Sequence, residues 1–132
     1  MARREVIVPQ NEKLNVSRSF NLPHSPGIRA GDFIFLSGML STDPATGERS
    51  LGTMAHETRQ TLANMRHLLE SAGSSLERVV KINILLYDML EFDNMNRVYR
   101  EFFPKDPPAR TTCGVQLSAG MKIEIECIAL AG

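Results

Sequence analysis

The chain has 132 residues, with 15 Lys and Arg, 15 Asp and Glu, and a formal net charge of zero at pH 7. A chain of this length is expected to form a single domain over 1–132, because it can bury roughly two-thirds of its unfolded surface in one core. The even charge excludes the strongly basic surface of a dedicated nucleic-acid-binding protein, so no nucleic acid partner is expected.

The N-terminal segment and the two cysteines indicate the cellular compartment. MARREVIVPQ contains two arginines but no following apolar stretch of signal-peptide length, and no run approaches the ~20 apolar residues of a membrane span. We therefore expect a soluble cytoplasmic protein with no membrane contact. Cys113 and Cys127 lie in strand-like runs without a CxxC motif or metal-ligand spacing, so both are predicted to be reduced thiols in the core.

The first third of the chain predicts strands. EVIV at 5–8, a short run near 19–22 and DFIFLSG from residue 32 have strand-like composition. LPHSPG and STDPATGE supply the proline, glycine and aspartate residues that are typical of turns.

The middle of the chain predicts helix, strand and helix. Apolar residues recur every three or four positions between Thr53, a candidate N-cap, and Ala72, just before Gly73. SSLE at 74–77 has capping-box spacing, and the strand RVVKINILLYD follows, with Val80, Ile82, Ile84 and Leu86 on one face. A second helix is predicted from about Asp88 until PKDPPA breaks it.

The C-terminal segment predicts a β-hairpin around the turn LSAG. Its two arms alternate, so that one face of the second arm is aliphatic and the other is charged. The element order predicts an α+β domain in which two helices cover one face of a mixed sheet. The opposite face is expected to meet water or another subunit, and it carries Arg110, Lys122, Glu124 and Glu126.

Arg110 and Glu124 are the candidate catalytic residues. A guanidinium can bind a carboxylate through two parallel hydrogen bonds, and a nearby carboxylate can take a proton from water. The alternative is that both are ordinary solvent-facing residues of an antiparallel sheet, and periodicity does not choose between the two interpretations.

The register of the predicted hairpin limits how these two residues could cooperate. A three-residue turn places Arg110 and Glu124 on the same face, whereas a two-residue turn places them on opposite faces. Even on the same face they would lie ~13 Å apart along the strand. A shared site would need a long arginine reach, a bulge or a neighbouring chain.

Four blocks of the sequence resemble the reactive intermediate deaminase family (Rid, YjgF-like). These blocks are FLSGMLSTDPATGE, NMNRVYREFFP, PPARTTCGVQL and KIEIECIAL, in the family's order. The resemblance implies a chorismate-mutase-like mixed sheet and a homotrimer with clefts between subunits. It further implies cofactor-free hydrolysis, without a metal, of small imine and enamine carboxylates such as 2-iminopropanoate and 2-aminoacrylate to 2-keto acids and ammonia.

The resemblance also implies roles for individual residues. Arg110 would bind the substrate carboxylate and Glu124 would orient the attacking water. The other matched pocket positions, implied to bind substrate, are Ser37, Gly38, Asn96 and Thr112.

His24 departs from the family pattern, since many members have a tyrosine in this position. The histidine is either a turn residue without a role or a titratable pocket residue that changes substrate choice or proton transfer.

This departure leaves other functions open. The alternatives are deamination of a larger enamine such as 2-aminomuconate and a non-catalytic protein that binds small acids for regulation. Some relatives are described as RNA-cleaving translation inhibitors, which the neutral charge of this chain argues against.

Overall fold

The computed structural model describes residues 3–132 as one sheet packed against helices. The predicted single domain also includes Met1 and Ala2, which lie outside the described residues. The strands are β1 (Arg4–Ile7), β2 (Gly27–Ala30), β3 (Phe33–Met39), β4 (Val79–Leu86), β5 (Ala109–Gly114) and β6 (Ile123–Leu130). The helices are α1 (Val16–Ser19), α2 (Met54–Ser71) and α3 (Phe92–Phe102), with short 3₁₀ turns at Glu12–Leu14, Leu76–Arg78 and Met89–Glu91.

The six strands form one mixed sheet in the order β1-β2-β3-β6-β4-β5. Neighbouring strands are antiparallel except β4 and β5, which are parallel. A parallel neighbour requires a crossover connection, and α3 supplies it between β4 and β5. β5 is therefore an edge strand, whereas β6 lies between β3 and β4.

The first long helix begins where the sequence predicts, whereas the predicted start at Asp88 is a 3₁₀ turn and α3 begins four residues later, at Phe92. The Thr53 side chain accepts a hydrogen bond from the His56 amide at 3.1 Å and starts α2, and Gly73 follows the helix with φ of +79°. Asp88 accepts from the Leu90 amide at 2.9 Å and caps the 3₁₀ turn that leads into α3. The predicted α+β domain with two helices on one face of a mixed sheet is confirmed.

The core lies between this sheet and these two helices. Its fully buried side chains come from both layers: Ile34, Leu62, Met65, Leu69, Ile82, Ile84, Leu86, Met95, Ile123 and Ile125. Within residues 3–132, no helix combines the length and hydrophobicity needed to cross a lipid bilayer.

The predicted C-terminal hairpin is wrong. Ala119 and Gly120 do form a turn, with φ of +57° and +75°, but β5 and β6 do not pair with each other. In the sheet, β4 lies between them and separates the edge strand β5 from β6. Alternation fixes which side chains share a face of a strand, but it does not identify the neighbouring strand.

Three smaller predictions also fail. The run near 19–22 is not a strand, because the Asn15 side chain accepts a hydrogen bond from the Arg18 amide and starts α1. Val80 is exposed, because an irregularity in the pairing of β4 with β6 moves it out of the buried row. Cys113 is exposed on the edge strand, whereas Cys127 is buried as predicted. The short strand β2 was not predicted.

Candidate functional site

A β-bulge in β3 shapes the first part of the candidate site. Leu36 pairs with Cys127 and Met39 pairs with Ile125, so β3 uses three steps where β6 uses two. The extra residue falls at Ser37 and Gly38, the serine-glycine pair predicted to line the pocket. Bulges of this kind locally bend a strand and redirect its side chains.

Glu124 lies against this bulge. A Cβ built on Gly38 would come 2.5 Å from Glu124 Oε2, so the carboxylate occupies the space that the glycine leaves open. Burial raises the pKa of Glu124, the nearby Glu126 carboxylate raises it further, and His24 lowers it. The site thus holds a half-buried carboxylate whose basicity is increased by its surroundings.

His24 reaches the same region from the loop before β2. Ser37 fixes this loop, because its Oγ donates to the Ser25 carbonyl at 2.6 Å and its amide donates to the Pro26 carbonyl at 2.9 Å. The His24 ring is itself hydrogen-bonded, with Nδ1 at 2.6 Å from Ser17 Oγ. The bulge, the loop and α1 therefore together set the position of the imidazole.

These residues line a cavity of about 450 Å³ that is largely apolar. Arg49 lies at this cavity with its guanidinium 5.4 Å from the Phe20 ring centroid. The charged or titratable lining residues are His24, Arg49 and Glu124, and the apolar ones are Leu14, Val16, Phe20, Leu22, Pro26, Met39, Leu40 and Met121.

Arg110 lies elsewhere, on the edge strand β5. It pairs with the buried Ile82 of β4, which places its side chain on the helix-covered face. The guanidinium stacks 4.7 Å from the Tyr99 ring centroid and 5.6 Å from that of Phe92, both on α3. No carboxylate of residues 3–132 lies within 4 Å of this guanidinium.

A second, smaller hollow of about 200 Å³ surrounds Arg110. Asn96, Tyr99, Arg100, Phe103 and Pro107 line it with Arg110. Burial raises the pKa of Tyr99 to about 12, although the Arg110 charge opposes this rise, so the phenol stays neutral. Thr112 follows Arg110 on the same face, and neither Thr112 Oγ1 nor Tyr99 Oη, both buried, has a hydrogen-bond partner among the described residues.

The predicted site residues thus form two separate groups within one chain. His24, Ser37, Gly38 and Glu124 share the larger cavity, whereas Arg110 and Asn96 share the smaller hollow and Thr112 lies beside it. The prediction that Arg110 lies with Glu124 on the sheet face opposite the helices is wrong. Glu124 alternates with the buried Ile123 and Ile125 and so faces away from the helices, while Arg110 faces α3.

Three residues near these groups were not predicted as site residues from the sequence. They are Ser17, which holds His24, Arg49 at the larger cavity, and Tyr99, which stacks on Arg110. Tyr99 lies among the buried residues of α3, where the apolar spacing of the sequence indicates packing and not a binding site. Ser17 and Arg49 carry no local pattern that could have distinguished them.

Comparison with known proteins gives consistent matches along most of the chain. A family model described as endoribonuclease L-PSP matches residues 18–131. A RutC family protein of Pyrococcus horikoshii is 41% identical over 127 residues, which cover 96% of this chain and 97% of that protein. The human 2-iminobutanoate/2-iminopropanoate deaminase is 36% identical over 111 residues, covering 83% of this chain and 81% of that protein.

The fold is also similar to solved structures. The YjgF gene product of Escherichia coli superposes with a TM-score of 0.84 at 31% identity, covering 96% of this chain and 98% of that one. Other relatives are named as mitochondrial in Schizosaccharomyces pombe and chloroplastic in Arabidopsis thaliana. Because similar proteins are named for several compartments, the cytoplasmic location of this chain stays a prediction from its sequence.

Proposed function

This chain belongs to the Rid (YjgF-like) family, whose sequence model carries the endoribonuclease L-PSP description, and we propose that it hydrolyses imines and enamines of 2-keto acids. The products are the 2-keto acid and ammonia. The observation that carries the proposal is the pair of half-sites, one with a half-buried carboxylate of raised pKa and the other with a guanidinium that has no carboxylate partner in residues 3–132. Together they match what this hydrolysis requires.

Each half-site supplies one part of the chemistry. Arg110 binds the substrate carboxylate through two parallel N–H donors, and the Tyr99 ring beneath it limits the orientations of the guanidinium. Glu124 accepts a proton from the water that attacks the imine carbon, for which a raised pKa makes it a better base. An imine carbon is already electrophilic, so positioning and an activated water suffice.

We propose that the two halves meet across an interface, with Glu124 of one copy facing Arg110 of a second copy in a homotrimer. Two features support self-association. β5 is an edge strand whose outer side pairs with no strand of residues 3–132, and the sheet face opposite the helices exposes Phe33, Phe35 and Leu130. An exposed group of apolar side chains of this kind is typical of a surface that contacts another protein.

The larger cavity bears on the choice of substrate. Its volume of about 450 Å³ is larger than the three-carbon 2-iminopropanoate requires, and its apolar lining has no counterpart in so small a substrate. Arg49 is available there for a second anionic group, since no described carboxylate lies within 4 Å of it. These features favour the larger enamine substrates, such as 2-aminomuconate, as a second candidate.

The test generates 2-aminoacrylate in situ with a pyridoxal-phosphate-dependent serine dehydratase and traps the imine with semicarbazide. Added protein should divert the imine to pyruvate and lower semicarbazone formation. Arg110→Ala should reduce kcat/KM at least about 100-fold, because it removes two charge-assisted hydrogen bonds. Arg110→Lys should recover little of this loss, because an ammonium lacks the planar fork.

Arg66→Ala provides the matched control. The Arg66 guanidinium stacks 5.4 Å from the Phe102 ring centroid, as Arg110 does on Tyr99, but Arg66 lines neither half-site. This variant should keep wild-type activity. If wild type turns over neither 2-aminoacrylate nor larger enamines, the deaminase proposal is wrong. Ligand binding that is lost in Arg110→Ala would then indicate the non-catalytic acid-binding role.

A further inference from the structure

The Ser17–His24 pair is not explained by the roles given above. Ser17 is 8% exposed, whereas His24 is a solvent-exposed residue that lines the larger cavity. Their contact of 2.6 Å is short for a hydrogen bond between side chains. A histidine in a surface turn does not usually contact a buried side chain. Here the contact with Ser17 fixes the orientation of the His24 ring.

The anchor determines which nitrogen of the ring can react. Because Nδ1 is engaged by Ser17, Nε2 is the nitrogen left for a molecule in the cavity. The charged groups that line the cavity around His24 are Glu124 from β6 and Arg49 from the loop after β3. His24 and Glu124 line the same cavity, and the histidine acts to lower the pKa of the carboxyl group. The cavity thus presents an acid and a base together.

We propose that His24 is a catalytic residue that donates a proton from Nε2 to the leaving nitrogen, while Ser17 is its positioning residue. This inference rests on the proposed deaminase function and adds the proton donor that Glu124 alone does not provide. Two groups whose surroundings differ can divide acid and base roles in one site.

The proton transfers balance over the reaction. Water adds to the iminium carbon, its oxygen forms the new C–O bond, and Glu124 takes the released proton. His24 in its imidazolium form then protonates the carbinolamine nitrogen, and the C–N bond breaks with its electrons leaving on ammonia. The hydroxyl proton returns to His24 as the carbonyl forms, and the proton on Glu124 passes to the released ammonia.

Chemical rescue provides the direct test. His24→Ala should lower kcat on the order of 100-fold, the usual contribution of a positioned general acid. Added imidazole should restore part of this rate, because the truncated side chain leaves room for it in the cavity. The basic limb of the wild-type pH profile, where the imidazolium loses its proton, should disappear in His24→Ala and remain in Ser17→Ala. Ser17→Ala should lose about tenfold, as expected for one hydrogen bond.

His56→Ala is the matched control, because His56 forms a similar contact with Ser50 at 2.8 Å but does not line the cavity. It should show full activity and no response to imidazole. If Arg110→Ala inactivates the protein while His24→Ala keeps the wild-type rate and pH profile, the inference is wrong and the deaminase proposal stands. If wild type turns over no imine or enamine, both are wrong. If His24→Ala loses activity that imidazole does not restore, and the variant keeps the basic limb of the pH profile, His24 is not the proton donor.

Discussion

The Glu124 carboxylate depends on a missing side chain at Gly38. A Cβ there would lie 2.5 Å from Oε2 and 2.7 Å from Cδ, which is closer than real contacts allow. Gly38→Ala should therefore displace the carboxylate and lower kcat by about 10- to 100-fold, since small misplacements of a catalytic group have effects of this size. Steady-state deaminase kinetics measure the change.

Gly31→Ala separates this effect from backbone strain. Gly31 has φ of +58° and no atom within 4 Å of a built Cβ, so alanine there strains the turn without touching the site. It should cost about 1 kcal/mol of unfolding free energy and leave kcat unchanged. A Gly38→Ala variant with wild-type kcat would contradict the role of the bulge.

The raised pKa of Glu124 also predicts a cost in stability. Because the folded-state pKa lies above the unfolded value, the unfolded chain releases this proton first as pH rises. Stability contributed by the neutral carboxyl is then lost as pH rises through the folded pKa. Glu124→Gln should be more stable than wild type at pH 7, and the difference should shrink in acid. Urea unfolding at pH 7 and pH 4 tests this, and equal differences at both would contradict it.

Helices and strands differ in how far the sequence determined them. The start of α2 follows from the Thr53 cap and the apolar period, and Asp88 marks the 3₁₀ turn that precedes α3. The strands next to β6 could not be predicted from local signals, because strand pairing depends on contacts between residues that are distant in the chain. The sequence therefore named Arg110 and Glu124 as candidates but left open what would bring them together, and the strand order shows that they lie apart within one chain. The contact of Ser17 with His24 could not be predicted either, because Ser17 lies on α1, beside a run that was expected to be a strand.

The junction of α2 with β6 depends on one buried carboxylate. Glu57 is 0% exposed and accepts hydrogen bonds from the Lys122 amide at 2.9 Å and the Gly52 amide at 3.0 Å. Glu57→Ala should cost about 2–4 kcal/mol of unfolding free energy, because the amides of Lys122 and Gly52 both lose their buried charged acceptor. Urea unfolding at fixed protein concentration measures this cost.

Glu101→Ala is the comparison for this prediction. Glu57 forms an ion pair with Lys122 at 3.4 Å, and Glu101 forms one with Arg59 at 2.7 Å, but both side chains of the second pair are about half exposed. Exposed pairs contribute little to stability, so this variant should unfold close to wild type. Equal effects of the two substitutions would show that burial of Glu57 is not what matters.

The division of the site predicts how inactive variants behave when mixed. Arg110→Ala and Glu124→Gln should each be inactive, yet a copy with an intact Glu124 can face a copy with an intact Arg110. After the two are unfolded and refolded together at equal amounts, about a quarter of the sites should contain both residues under random assembly. Deaminase activity should therefore return to about a quarter of wild type, in a species of three times the 14.7 kDa chain mass. A site built within one chain would give no recovery, because every chain in the mixture lacks one of the two residues. Recovery of activity in a species of another mass would support a site shared between chains and contradict the trimer.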